Sequence, residues 1–97
     1  MDQLPVLPPR KHVFVCTNKR EPGKSCCAHV GGEELFYALK DHVRTHGLTG
    51  KVWVTRTGCL GFCNDIGVNV VIYPQQEWFL HVRKEDLHAL IARIDEE

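Results

Sequence analysis

The residues of this chain with the most chemical potential are its cysteines, which number five: Cys16, Cys26, Cys27, Cys59 and Cys63. They lie in polar or glycine-rich segments rather than on predicted apolar faces, so five buried hydrophobic side chains are a poor explanation. No apolar run is long enough for a signal peptide or a membrane span. We therefore expect a cytoplasmic protein, in which thiols bind metal or carry out redox chemistry rather than form structural disulfides.

The spacing of the thiols bears on which metal group they would bind. Four thiolates from two loops suit either a zinc ion or an iron–sulfur cluster. The C-x₃-C pair of Cys59 and Cys63 is acceptable for zinc, which prefers two tight pairs. The wide separation of Cys16 and Cys26 instead favours the two irons of a [2Fe-2S] cluster.

Residues near these cysteines are of types that would stabilise a negatively charged cluster. Glycines allow backbone N–H groups to approach cluster sulfurs, and we expect this of Gly58, Gly61 and Gly67. Nearby cations would offset the charge of the cluster. The candidates are Lys19, Arg20, Lys24 and Arg56.

Composition excludes some functions. A chain of 97 residues is one domain that can bury a core. Its 12 basic and 12 acidic residues give no net charge, so no electrostatic surface for nucleic acid is expected.

The elements that must position the thiols follow from turn signals and hydrophobic periodicity. Residues 1–10 contain three prolines and predict a flexible tail, so the domain spans 11–97. The run "KHVFVC" predicts a central strand buried on both faces. Further strands are predicted at 51–56, 68–73 and 77–82, and amphipathic helices at 33–47 and 84–94.

This β-α-β-β-β-α order predicts an α/β fold. A helix between the first two strands implies a parallel crossover, and the short link between the last two implies an antiparallel pair. The result is a mixed four-stranded sheet with two main helices, the plan of a thioredoxin-like domain. Parallel neighbours end at the same edge of a sheet, so both cysteine loops should emerge together.

Several segments resemble the thioredoxin-like [2Fe-2S] ferredoxins, including the Shethna-type proteins. They are "HVFVCTN", "GKSC", "RTGCLGFC" with the following Gly67, "VVIYP" and the C-terminal amphipathic helix, in that order after residue 11. The resemblance implies a homodimer, one [2Fe-2S] cluster per subunit and one-electron transfer. It also implies four ligands, Cys16, Cys26, Cys59 and Cys63.

Two features depart from the family's usual pattern. The segment "NKREPGK" is shorter than the common form of this loop, and Cys27 stands where a small residue is usual. Cys26 is assigned as the ligand because it follows "GKS", and Cys27 is the alternative.

The expected function is therefore an electron carrier without catalytic residues, which exchanges electrons with a reductase and an acceptor enzyme. A dithiol oxidoreductase would normally use C-x-x-C at a helix start. A redox or iron sensor, or a cluster donor, would use Cys27 as a spare ligand, and a structural zinc module is a further alternative. Trp78 and Phe79 are adjacent on a strand, so one of them must face away from the helices, consistent with a dimer contact.

Overall fold

A computed structural model describes residues 1–18, 31–61 and 66–96 of the chain. They form one mixed sheet with helices packed on it, in the order that the sequence predicts. The elements are β1 Lys11–Cys16, α1 Gly32–Thr45, β2 Val52–Thr57, β3 Val68–Tyr73, β4 Glu77–Val82 and α2 Leu87–Asp95, with a 3₁₀ turn Lys84–Asp86 before α2. No helix among these residues is long and apolar enough to cross a membrane.

The strands lie in the spatial order β2-β1-β3-β4. β1 pairs in parallel with β2 and antiparallel with β3, and β3 pairs antiparallel with β4. The parallel register places Cys16, the last residue of β1, opposite Thr57, the last residue of β2. The predicted crossover and hairpin are both confirmed, and they bring these two strand ends together.

The core lies on the side of the sheet that both helices cover. Alternate strand residues point to this side because the side-chain period of a strand is two. The helices contribute stripes spaced by three or four residues, as their amphipathic pattern predicts. The fully buried contacts include Val13, Val15, Val70 and Ile72 from the strands and Leu39 and Ile94 from the helices.

The prediction that β1 is buried on both faces is wrong. Val13 and Val15 are fully buried, but His12 and Phe14 between them are only half-buried. β1 is central because β2 and β3 flank it. Within the described residues, both helices pack on one face of the sheet and no helix covers the other. A central position in the sheet therefore does not require a cover on each face.

The end of α2 is tied to the start of β1. The Arg10 guanidinium donates hydrogen bonds to the carbonyl oxygens of Ile94 and Glu96, each at 2.9 Å. The buried Lys11 ammonium donates to the carbonyl of Arg93. Cations at a helix C-terminus satisfy its last carbonyls and its dipole. Arg10 thus contacts α2, and the predicted domain boundary after residue 10 stays a prediction.

Candidate functional site

Parallel pairing of β1 with β2 brings two cysteine-containing segments to one edge of the sheet. The ladder continues past the strands, because the Thr17 N–H donates to the Thr57 carbonyl at 3.1 Å. Cys16 lies beside this hydrogen bond, and Cys59 follows Thr57 by two residues. We call this edge, comprising residues 16–18 and 58–61, the cysteine end.

The two described cysteines lie in different environments. Cys16 is 2% exposed and belongs to the hydrophobic core, so its backbone position is fixed by packing. Cys59 is exposed. A group held by both thiolates would therefore be anchored in the core and remain close to the surface.

Gly61 shapes the loop around Cys59. Its φ is +95°, a conformation that favours glycine, and its N–H donates to the Cys59 sulfur at 3.2 Å. This agrees with the expectation that glycines here direct backbone N–H groups towards sulfur. Leu60, between the two, packs against the core and holds the loop to the sheet.

Gly67 has a packing role that sequence reasoning missed. It is buried, and a Cβ built there would lie 2.4 Å from the carbonyl carbon of His81 in β4. Only a residue without a side chain allows this close approach of the two backbones. A glycine directly before a strand was the signal available in the sequence.

Arg56 contacts the first turns of α1. Its guanidinium lies 3.3 Å from a Glu33 carboxylate oxygen and 5.0 Å from the centre of the Phe36 ring. Arg56 was expected to offset the charge of the cluster. In the structure it also pairs with the Glu33 carboxylate, a contact that the sequence did not indicate. The other predicted cations, Lys19, Arg20 and Lys24, lie outside the described residues.

The remaining predicted ligands, Cys26 and Cys63, and the alternative Cys27 also lie outside the described residues. Within residues 1–18, 31–61 and 66–96, no group of three or more His, Cys, Asp or Glu side chains could hold a metal ion. The four-cysteine ligand set stays a prediction. The part that the structure describes fits it, since Cys16 ends β1, Cys59 follows the neighbouring β2, and a backbone N–H points at the Cys59 sulfur.

Known proteins that are similar to this one match most of its length. A "Ferredoxin, 2Fe-2S" from Aquifex aeolicus is 36% identical over 86 residues, covering 86% of this chain and 77% of the relative. A second protein of that name, from Clostridium pasteurianum, is 32% identical and covers 86% and 82%. The crystal structure of the wild-type thioredoxin-like [2Fe-2S] ferredoxin from Aquifex aeolicus matches with a TM-score of 0.76 and 36% identity, covering 86% of this chain and 82% of that one.

The chain belongs to the thioredoxin-like [2Fe-2S] ferredoxin family. No family model matches it. Its α/β class and mixed four-stranded sheet, both predicted from the sequence, are those of a ferredoxin of this kind. In this ferredoxin the cysteine end is the candidate site, because the described cysteines and the glycine N–H converge there.

Proposed function

We propose that this protein is a one-electron carrier that binds one [2Fe-2S] cluster per subunit through Cys16, Cys26, Cys59 and Cys63. The observation that carries the proposal is the parallel register of Cys16 with Thr57, which starts the two cysteine loops side by side. Membership of the ferredoxin family supports the choice of cluster over zinc.

The described residues suit this role. When bound, a [2Fe-2S] cluster accepts and releases one electron. Buried Cys16 would fix one side of the cluster rigidly to the core, and exposed Cys59 would keep the other side close to a partner. The Gly61 N–H would stabilise negative charge on the Cys59 sulfur, and hydrogen bonds of this kind raise the reduction potential.

We further propose how the carrier operates. It has no catalytic residues, takes its electron from a reductase and passes it to an acceptor enzyme. It works in the cytoplasm as a homodimer, as its resemblance to these ferredoxins implies. The reducing conditions there would keep all five thiols available for ligation.

Purification without oxygen tests the proposal. We expect a coloured protein with two irons and two acid-labile sulfides per chain, which is reduced reversibly by one electron in a redox titration followed by electron paramagnetic resonance. A colourless protein that contains zinc would refute it and establish the structural zinc module instead.

Single serine variants test the ligand set. We expect Cys16→Ser, Cys26→Ser, Cys59→Ser and Cys63→Ser each to lose the cluster or change its spectrum, because serine replaces a thiolate ligand. Cys27→Ser is the matched control, since it changes the adjacent thiol by the same atom. If Cys27→Ser alters the spectrum and Cys26→Ser does not, the assignment of the second ligand is wrong.

A sensor or cluster-donor role is the second candidate, and the adjacent thiols of Cys26 and Cys27 favour it. A spare thiol beside a ligand would assist loss or transfer of the cluster. Repeated reduction and oxidation separates the two functions. A carrier retains its iron and sulfide through the cycles, whereas a sensor or donor releases them in one oxidation state, and Cys27→Ser slows that release.

A further inference from the structure

The two edges of the described sheet differ in regularity. β2 forms one edge and β4 the other. All six residues of β2 pair in register with β1. β4 pairs with β3 through a register shift between Val68 and Val70, and His81 on β4 has a φ of +60°. Proteins use such irregular backbone to keep an edge from pairing with another chain, so β4 is blunted and β2 is not.

Side chains from α2 also engage β4. Arg93 lies over the Phe79 ring at 5.9 Å and pairs with the Glu77 carboxylate at 3.2 Å. Trp78, between these two residues, is 45% exposed, whereas Phe79 packs against the core. Trp78 is thus the one of the two adjacent aromatics that faces away from the helices.

The outer edge of β2 presents backbone groups that could pair with a further strand. The Lys51 and Thr57 carbonyls accept hydrogen bonds from backbone N–H groups of the β1 segment. In a parallel ladder a residue directs its N–H and C=O to one side, and the next residue directs them to the other. Val54 and Arg56 therefore direct these groups outward. None of the described residues hydrogen-bonds these four groups.

A groove of about 920 Å³ runs beside this edge, between β2 and α1. Trp53 and Val54 line it from the strand, and Tyr37 and Ala38 line it from the helix. Tyr37 is 56% exposed and Trp53 37% exposed. An extended segment along β2 would direct alternate side chains towards Tyr37 and towards Trp53. Strand addition of this kind combines backbone hydrogen bonds with contacts for alternate side chains.

The charges of the groove are balanced. Its lining includes two carboxylates, Glu34 and Asp41, and two cations, Lys40 and Arg44. Arg44 pairs with Asp41. The groove therefore fits a segment without strong net charge, held through its backbone and its apolar side chains.

We infer that the outer edge of β2 is the surface on which a redox partner docks, by adding an extended segment as a fifth strand. Arg56 precedes Cys59 by three residues, so a strand added here ends beside the cysteine end. The partner would thereby be placed where the electron is exchanged. The inference rests on the proposed carrier function, because it assigns the partner of that function to this edge.

The size of the edge suits a transient partner rather than a second copy held permanently. A strand of six residues is about 20 Å long, from a rise of about 3.3 Å per residue. A contact along one such strand lies well below the roughly 800 Å² per partner of a standard interface. Weak electron-transfer encounters lie at this low end of interface size.

Hydrogen–deuterium exchange of the holoprotein is the first test. The probe is a soluble peptide in which four valines and four threonines alternate between a terminal lysine and a terminal glutamate. At about ten times its dissociation constant, the outward amides of Val54 and Arg56 should exchange about tenfold more slowly, since only unbound protein exchanges. Mass spectrometry of segment 51–57 measures the change. Unaltered exchange of this segment at millimolar peptide would overturn the inference.

Two variants at one position separate the backbone from the side chain. Arg56→Pro removes an outward N–H without touching the ladder to β1, and Arg56→Gln loses the same guanidinium but keeps the N–H. We expect the dissociation constant of the peptide to rise at least about tenfold in Arg56→Pro, and to stay within about twofold in Arg56→Gln. Equal constants for the two variants would contradict pairing through the backbone.

A second pair of variants applies if Arg56→Pro does not fold. Ala38→Lys places a long side chain in the groove, and Ala92→Lys makes the same change at an exposed site on α2. Only Ala38→Lys should weaken peptide binding, again by at least about tenfold. Equal effects of the two substitutions would overturn the inference.

Photocrosslinking identifies the occupant of the edge. Benzoylphenylalanine in place of Tyr37 is irradiated in an extract of cells from the protein's own organism, and the captured protein is purified. It should exchange an electron with the holoprotein in stopped-flow measurements, at a rate that falls at least about tenfold with Arg56→Pro and within about twofold with Arg56→Gln. Capture of nothing, of a second copy alone, or of a protein that exchanges no electron would overturn the assignment to a redox partner.

Iron and sulfide content, measured on the same samples, separates this inference from the proposed function. A colourless protein would refute the carrier, whatever the exchange of segment 51–57 shows. A coloured protein that cycles by one electron but gains no protection at β2 would retain the carrier and overturn the docking edge.

Discussion

The sheet ends in two different ways. At the end opposite the cysteine end, which we call the far end, β1 begins and α2 finishes, and three side-chain hydrogen bonds from Arg10 and Lys11 join them. At the cysteine end, the described loop around Cys59 is held by Leu60 packing and by the hydrogen bond from Gly61. The far end is thus secured by hydrogen bonds to the carbonyls of a helix, whereas the Cys59 loop is held by Leu60 packing and a hydrogen bond to sulfur.

This difference indicates a division between stability and chemistry. Polar contacts at the far end satisfy the carbonyls of a helix and direct no group towards a ligand. The hydrogen bond at the cysteine end is made to a sulfur that is a predicted ligand. Substitutions at the far end should therefore change the free energy of unfolding, and those in the Cys59 loop should change the properties of the bound group.

The largest effect is expected from Ile94→Ala at the far end. Ile94 is fully buried in the core, and its truncation leaves a cavity that should cost about 2–5 kcal/mol of unfolding free energy. Urea denaturation measures the change. His88→Ala, at an exposed site on the same helix, is the control and should cost about 0.5 kcal/mol or less. If Ile94→Ala and His88→Ala lose the same unfolding free energy, packing of α2 in the core does not stabilise this end.

Gly67→Ala tests a tightly packed position just before β3. The added Cβ would lie 2.4 Å from the His81 carbonyl carbon, so the backbones of β3 and β4 must separate. We expect a loss of about 1–3 kcal/mol, the usual cost of overpacking. Gly58→Ala is the control, because its Cβ would meet nothing within 4 Å. If Gly67→Ala leaves the unfolding free energy unchanged, close packing at this position is not required for stability.

Arg10→Ala removes two of the hydrogen bonds that cap α2. We expect a loss of about 1–2 kcal/mol, because the carbonyls of Ile94 and Glu96 must find water instead. Arg44→Ala is the matched control, since its ion pair with Asp41 is exposed and should contribute no more than about 1 kcal/mol. Thermal unfolding of the two variants compares them, and a smaller loss for Arg10→Ala would contradict the capping role.

Substitution of either of two glycines is expected to have the smallest effect on stability. One of the two should also change the reduction potential. Gly61 and Gly50 have φ of +95° and +91°, and a Cβ would meet nothing within 4 Å at either. Alanine should cost about 1 kcal/mol at both, from backbone strain alone. Gly50 lies at the far end, just before β2, and makes the matched control.

Gly61→Ala should also lower the reduction potential of the loaded protein, since strain displaces the N–H that points to the Cys59 sulfur. Gly50→Ala should leave the potential unchanged. Urea denaturation first checks that the two variants lose the same unfolding free energy. Redox titration then compares their reduction potentials. Equal potentials would show that this hydrogen bond does not affect the bound group.

Hydrophobic periodicity was sufficient to predict most of the fold. The strands at 68–73 and 77–82 have the bounds that the structure gives them, because turn residues delimit them clearly. The parallel pairing of β1 with β2, which brings their ends to the same edge of the sheet, followed from the crossover rule. The role of Gly67 did not follow, since the sequence does not reveal that the β4 backbone passes so close.

The order of the elements and the cysteine pattern follow from the sequence alone, because periodicity and spacing are local properties of a chain. Which face of the sheet the helices cover depends on how the elements pack together in three dimensions. A strand with the pattern of β1 could be buried on either or both faces, and packing of α1 and α2 on one side left His12 and Phe14 half-buried on the other. The sequence pattern of one strand does not settle this, since burial depends on contacts between residues distant in sequence.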